Sequence, residues 1–403
     1  MLLRELFIRE AEEPAVKQAG RTFNHLEDLA FLHNSAGAIE ALEHLKHINT
    51  PKGAAEIRMK WDGAPQIYWG RDEKGRFVLT NHNGWLRGGK DPSLKPKNAA
   101  ALQDFIANQS GNPKTPEEKQ QREEFAGQFA GLWDIFESAT PKNFKGYVYA
   151  DALFLNRPPV DADGVYNFCP NPKSQTCYHV LSTSKLGKRI SAASVMVVGH
   201  GTFDTFGAPD NTQQPKTNFS EFNLNPQLIV LGPVYNSSAV KLDTTQITDV
   251  ESDIKQSATE IDSFLSIADT PGAGLTNLKT GILYPFVNWA AKSGQLDNLS
   301  SGLFYQWLTD QDPKKVSAVK KAKIANPIYT NALDSIFRIV LKIMTLKEAV
   351  LSQLASGPRG DVWDTHGEGH VKYKSDKQKF SHVKFVPRRA IKTDTGEIPA
   401  WTP

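Results

Sequence analysis

Apolar and polar residues alternate through Glu56–Trp61, with Ile57, Met59 and Trp61 set against Arg58, Lys60 and Asp62. A period of two predicts a half-buried strand. Its apolar side faces a core, so Lys60 and Asp62 face the other way, and Gly63 allows the chain to turn close to whatever lies there. The triplets Ile67–Trp69 and Phe77–Leu79 flank a polar turn, Arg71 to Arg76, that contains Gly75. This predicts a β-hairpin. Asn81-His82-Asn83-Gly84 follows as a turn whose side chains can point at a ligand. Further strands are predicted at Tyr147–Phe154, Ser194–Val198 and Leu228–Leu231. Asp151 interrupts the first of these, and a carboxylate there needs a partner or an open strand edge.

Helical spacing governs other stretches. Ile39, Leu42, Leu45 and Ile48 mark a helix stopped by Asn49-Thr50-Pro51, and Phe23–Leu32 precedes it with similar spacing. Asn98–Ile106 and Phe125–Phe136 read as helices joined by a polar loop. Thr205–Phe222 reads as another polar loop. Near residue 245 the pattern becomes wholly helical. Thr248-Asp249-Val250-Glu251 has the form of a capping box, with Val250, Ile254, Ile261 and Leu265 behind it. A long helix carries Leu333, Ile336, Val340, Ile343 and Leu354 and stops at Ser356-Gly357-Pro358. Strands then return. In Glu368–Lys374, the residues Glu368, His370, Lys372 and Lys374 share one face, and Ser381–Arg388 pairs with this strand as a hairpin. The chain divides into an N-terminal helical segment (1–52), a mixed domain (53–238 with 359–403) and a helical insert (239–358).

Composition adds limits. The 403 residues exceed one ordinary domain, with 39% hydrophobic and 23% charged residues and a mean hydropathy of -0.43. No apolar run suits a membrane span. Met1–Pro14 lacks a signal-peptide pattern, so a cytoplasmic protein without a membrane partner is expected. The net charge of +3 is modest, but Lys372–Lys392 holds eight Lys or Arg and one acidic residue. Cys169 and Cys177 are the two cysteines. A loop bridge between them is disfavoured in cytoplasm, and a zinc site would need more ligands.

The candidate chemistry centres on Lys60. A lysine nucleophile must shed its proton, which a cationic neighbourhood or desolvation favours. Attack on a nucleotide α-phosphate then needs cations and Mg²⁺ to stabilise the developing charge. Asp151 and Glu368 are candidates for metal or ribose contacts. Lys384, helped by Lys372 or Arg388, is the candidate grip on the α-phosphate.

In this ordered set the chain resembles the covalent nucleotidyltransferase superfamily, which includes ATP-dependent DNA and RNA ligases and mRNA capping enzymes. Lys60, Asp62 and Gly63 match its Lys-x-Asp-Gly motif. Glu368, Gly369 and Val371 match its Glu-Gly-x-Val motif. Asp151 stands where the family has an acidic residue, usually glutamate. Lys384 matches the first lysine of a Lys-x-Lys motif, with Val386 at the second and Arg388 as a stand-in. His82 replaces the family's arginine, and Phe203 is the nearest aromatic to the base-stacking position. The opening of the domain is also similar to uncharacterised ligase-like proteins of tailed bacteriophages.

The resemblance implies an α+β fold: a nucleotidyltransferase (adenylation, ATP-grasp-like ligase) domain of antiparallel sheets with flanking helices, plus the helical insert. It implies catalytic roles for Lys60, Asp62 and Lys384. Met59, Gly63, His82, Asp151, Glu368 and Arg388 would join Lys60 and Lys384 in binding ATP. Asp151 and Glu368 would hold Mg²⁺, with Mn²⁺ as a substitute. Lys372, Lys374, Lys320 and Lys321 would bind nucleic acid. The expected protein is a monomeric ligase of RNA or mixed RNA/DNA ends, in the host cytoplasm if phage-encoded. Only 19 residues follow Lys384, too few for an oligonucleotide-binding barrel. A DNA ligase sealing nicked duplex is the alternative within this class. A catalytically inactive phage structural or nucleic-acid-binding protein is the alternative outside it.

Overall fold

The computed structural model describes residues 23–86, 95–108, 115–170, 176–208, 212–236, 239–270, 273–355, 362–364, 370–372, 382–393 and 396–398. The first part of the chain forms β1 (Phe23–His25), α1 (Leu29–Leu32), α2 (Asn34–Ile48), α3 (Pro51–Ala54), β2 (Arg58–Met59), β3 (Gln66–Arg71), β4 (Phe77–Asn81) and α4 (His82–Leu86). Next come α5 (Ala99–Ala107), α6 (Pro116–Ala130), α7 (Trp133–Ala139), β5 (Gly146–Phe154), β6 (Val165–Phe168), β7 (Tyr178–Leu181), α8 (Lys185–Ile190), β8 (Val195–Phe203), β9 (Gln214–Pro215) and β10 (Leu228–Leu231). Five α-helices follow: α9 (Thr244–Ser266), α10 (Tyr284–Lys292), α11 (Ser301–Thr309), α12 (Ala318–Ile324) and α13 (Thr330–Ala355). The last strands are β11 (Val362–Asp364), β12 (His370–Lys372), β13 (His382–Phe385), β14 (Ile391–Thr393) and β15 (Gly396–Ile398).

The architecture is α+β. A first sheet has the order β1-β13-β12-β2, and a second has β10-β8-β5-β3-β4 with β9 on β8. A smaller sheet joins β11, β7 and β6, and β14 pairs with β15. Most pairings are antiparallel, but β1–β13 and β10–β8 are parallel. The second sheet buries one face under α5, α6 and α7 through Ile67, Trp69, Phe129, Phe136, Val148 and Val197. Its other face carries two apolar patches, one around Trp61, Phe168, Tyr178 and Val198, the other around Tyr68, Trp85 and Phe203.

The period-two reading holds around Lys60. Ile57, Met59 and Trp61 are buried, while Arg58, Lys60 and Asp62 are partly exposed. The hairpin also holds, with Ile67 opposite Asn81 and Arg71 opposite Phe77.

Several boundaries differ. Phe23–His25 is a strand because it pairs with β13. Helix α6 starts inside the expected loop, where the Thr115 side chain accepts the Glu118 N–H and Pro116 opens the first turn. Its first two turns are polar, so spacing alone hid them. His82 opens a short helix instead of a turn, with the Asn81 side chain accepting the Gly84 N–H. The expected capping box lies within α9, which Asp243 caps by accepting the Thr245 N–H; Thr248 donates its hydroxyl to the Thr244 carbonyl. The stop at Ser356–Pro358 lies outside the described residues. Cys169 and Cys177 form a disulfide, the loop bridge that the sequence reading disfavoured. No helix among the described residues is long and apolar enough to cross a membrane.

The N-terminal helices and the helical insert share one core. Leu29, Leu42 and Leu45 pack in it with Ile254, Leu265, Phe337, Val340 and Met344, and Val383 and Phe385 of β13 join them. A buried charge cluster ties the same three segments. Lys347 Nζ donates to both Glu27 carboxylate oxygens (2.6 and 2.7 Å) and to the Val386 carbonyl (3.0 Å). Arg388 donates to both oxygens of Asp28 (2.6 and 2.7 Å). Burial would raise the Glu27 pKa, but the charges of Lys347 and Arg388 outweigh it and hold the carboxyl below its usual range.

Candidate functional site

A cleft of about 320 Å³ lies where the two large sheets meet. Its size is at the lower end of the ~300–1,000 Å³ typical of small-molecule sites. The first sheet and its flanking loop contribute Arg58, Met59, Lys60, Val371 and Lys384. The second contributes Gln66, Tyr149, Asp151 and His200. Asp62, Gly63 and Gln213 complete the part used below. Six residues expected from the sequence therefore meet here: Met59, Lys60, Asp62, Gly63, Asp151 and Lys384.

The loop after β2 is held in place by its neighbours. The Met59 N–H donates to the Val234 carbonyl (2.8 Å), which ties β2 to the segment after β10. The Asp62 N–H donates to the Tyr178 hydroxyl (2.7 Å), and the Trp61 ring lies 5.0 Å from that of Tyr178. The Ala64 N–H donates to the Ala152 carbonyl (2.9 Å), and the Ala152 N–H donates to that of Pro65 (3.0 Å). These bonds lay Gly63 against β5, where any side chain would collide with Asp151. Lys60 Nζ stands 3.6 Å from Asp62 Oδ1, with 28% of the Lys60 side chain exposed.

Asp151 is 14% exposed, and its Oδ2 lies 2.9 Å from His200 Nε2. The distance allows charge attraction when the imidazole is protonated, but the N–H is not aligned for a hydrogen bond. Asp151 Oδ1 is buried and has no hydrogen-bond partner among the described residues. A buried carboxylate oxygen left this way is costly, so a ligand donor or a cation fits there. An aromatic file supports this wall. Trp85 stacks on Tyr68 (4.5 Å), Tyr68 on Tyr149 (5.0 Å), and Tyr149 meets the His200 ring at 5.0 Å. Gln66 Nε2 donates to the Tyr149 hydroxyl (2.9 Å).

Arg58, Lys60 and Lys384 give the cleft three cations against Asp62 and Asp151, a donor set that suits a polyphosphate. The cross-strand register puts Val371 between Arg58 and Lys384. For magnesium, one or two carboxylates with phosphate and water ligands are usual. Asp151 Oδ1 fits such an oxygen donor. Among the described residues no group of three or more His, Cys, Asp or Glu gathers around a metal position.

Other expected site residues lie elsewhere. Arg388 is 2% exposed and holds Asp28 in the core, so it is not a phosphate ligand of this cleft. Lys372 is wholly buried beside Glu56 (3.6 Å), not displayed to nucleic acid. The reason is register: Lys372 sits opposite Val383 and Val371 opposite Lys384, so the two lysines take opposite faces. Burial pushes the Lys372 amine below the usual lysine range despite the pull of Glu56. Lys320 and Lys321 donate to backbone carbonyls of Thr276, Thr309 and Gln311, which makes them local braces. His82 meets the Tyr68 hydroxyl through Nδ1 (3.3 Å), behind the cleft wall. Phe203 is buried against Trp85 (5.1 Å) and offers no stacking face. Glu368, Gly369 and Lys374 lie outside the described residues.

Sequence reasoning missed Arg58, Gln66, Tyr149, His200 and Gln213. One signal was available for His200. It sits between Gly199 and Gly201, and glycine inside a strand marks the close approach of another group.

A sequence family described as a family of unknown function (DUF6267) matches residues 21–81, the part of the chain that carries Lys60–Gly63. No curated protein and no solved structure matches the chain.

Proposed function

We propose that the protein is an ATP-dependent polynucleotide ligase, and that residues 53–238 with 359–403 form a nucleotidyltransferase domain. The observation that carries this reading is the meeting of Lys60, Asp151 and Lys384 in one cleft, although they come from the loop after β2, from β5 and from β13. The Lys60 amine attacks the α-phosphorus of ATP; an N–P bond forms, the bond to the bridging oxygen breaks, and pyrophosphate leaves. Asp62, 3.6 Å from Nζ, is within reach of the ammonium proton. Arg58 and Lys384 meet the phosphate charge. Mg²⁺, when bound, supplies further charge neutralisation, with Asp151 as its carboxylate contact. The AMP passes from Lys60 to a 5′-phosphate, and a 3′-hydroxyl displaces it to join two ends. RNA or mixed RNA/DNA ends are the favoured substrates.

A second reading is a binding protein without the transfer step. The burial of Val386 and Arg388 favours it, because neither supplies a second cation beside Lys384. Incubation with ATP and Mg²⁺ followed by intact-mass measurement separates the two. A mass gain of one AMP, absent in Lys60→Ala, supports the ligase; an unchanged wild-type mass supports the binder.

A further inference from the structure

The disulfide adjoins the contact that pins the Lys60 loop. Strands β6 and β7 pair antiparallel, and Phe168 opposite Tyr178 is the last rung of their ladder. Cys169 and Cys177 lie one residue beyond that rung on each strand, so their bridge closes the open end of the hairpin. Tyr178 is fully buried, with its ring 5.7 Å from that of Phe168 and 5.0 Å from that of Trp61. Its hydroxyl accepts the Asp62 N–H (2.7 Å), and Asp62 Oδ1 stands 3.6 Å from Lys60 Nζ. A continuous path of neighbours thus runs from the bridge to the Lys60 amine. The bridge is accessible to water, for Cys169 is exposed and Cys177 partly exposed.

We propose that the Cys169–Cys177 bridge is a redox-controlled clamp on the Lys60 loop, closed when oxidised and released by a dithiol reductant. Exposed bridges are the ones open to thiol exchange. A thiolate of the dithiol attacks Sγ of the exposed Cys169, the S–S bond breaks, and Cys177 leaves as a thiolate that takes up a proton. The second thiol of the reductant then displaces the Cys169 sulfur, which is protonated in turn. Two electrons and two protons pass to the bridge, and the reductant leaves as its own disulfide. The cross-link had restricted the opened hairpin end. Without it, the terminal rung at Tyr178 opens locally more often. Strand β11 holds the other edge of β7, with Asp364 opposite Tyr178, so the response stays local. Opening of that rung withdraws the hydroxyl from Asp62 and the ring from Trp61, and the loop loses its fixed place in the cleft wall. The inference stands on this anchoring and does not need the nucleotidyl-transfer reading.

Hydrogen exchange of the full chain, read by mass spectrometry at the peptide spanning residues 58–66, tests this. The chain has two cysteines, so dithiothreitol acts at this bridge alone. The Asp62 amide should exchange slowly in the oxidised protein and about thirty-fold faster after reduction, the lower end of what a disulfide contributes. Reoxidation with oxidised glutathione should restore the slow rate, and peptides of α9 should not respond. Cys169→Ser with Cys177→Ser should exchange fast with or without reductant. The wild-type redox pair needs no substitution, which covers a folding defect in the serine variant. Tyr178→Phe keeps the ring but lacks the acceptor, and its Asp62 amide should exchange fast in both redox states. An Asp62 rate that reduction leaves unchanged, an equal rise in α9, or two free thiols in the unreduced, denatured chain overturns the clamp. The readout uses no ligand, so its failure is distinct from a failure of ATP labelling.

Discussion

Gly63 lies so close to Asp151 that a Cβ on Gly63 would stand 2.7 Å from the Asp151 Cβ, and 2.7 Å from the Ala152 carbonyl oxygen. The loop carrying Lys60 is thus seated directly on the strand carrying the cleft carboxylate. Gly63→Ala should cost ~1–3 kcal/mol of stability, as overpacking does. It should also slow Lys60 labelling by about 10²-fold through misplacement of the loop. Urea unfolding and labelling rates check the two effects separately. Wild-type values for both would show that the contact is not tight.

Asp151 and His200 predict a graded series. Asp151→Asn keeps the shape but loses the charge and should reduce labelling by about 10²-fold, the scale of a lost electrostatic contact. His200→Gln leaves the carboxylate in place and should have a smaller effect, seen mainly as a higher KM for ATP. Initial rates across ATP concentrations check this order. A larger loss in His200→Gln than in Asp151→Asn contradicts it.

The buried pair of Glu27 and Lys347 joins the N-terminal segment to α13. Lys347→Met leaves the buried Glu27 carboxylate with only Arg388 beside it (3.5 Å) and should cost ~3–5 kcal/mol, while Lys347→Met with Glu27→Leu should recover much of the loss. Urea midpoints of the two proteins decide the matter. A double variant no more stable than the single one would mean that the pair is not the source of the loss.

Glu251 accepts from Lys255 and Lys46 (2.7 Å each), and these bonds hold its pKa down to about 2. The folded value lies below the ordinary 4.5, so the stabilisation is complete above that value and is lost as pH falls toward about 2. Its size should stay under ~1 kcal/mol because the group is accessible to water. The urea midpoints of wild type and Glu251→Gln should differ at about pH 6 and converge only as the pH approaches about 2. A gap that persists at the lower pH contradicts the assignment.

Local patterns carried much of the fold. The alternation at Ile57–Trp61, the hairpin around Gly75 and the apolar run Tyr147–Phe154 all appear as strands or extended chain. What could not be read depends on long-range pairing. Lys372 and Lys384 both belong to basic strands, and only the register of β12 on β13 sends one into the core and the other into the cleft. Arg388 finds Asp28 360 residues away, a partner that no local pattern indicates. His200 takes its place from the register shift of β8 on β5, and Gln213 lies against Gly201, where the sequence shows only that a side chain is missing.

The central claim is that Lys60 is a nucleophile toward ATP. The direct measurement is transfer of label from α-labelled ATP, in the presence of Mg²⁺, to the denatured and washed wild-type protein, with peptide mapping of the modified residue. The predicted result is AMP on Lys60, no label with Lys60→Ala, and release of the label on addition of 5′-phosphorylated RNA. A wild type that binds ATP but takes up no label, or full labelling of Lys60→Ala, would contradict it.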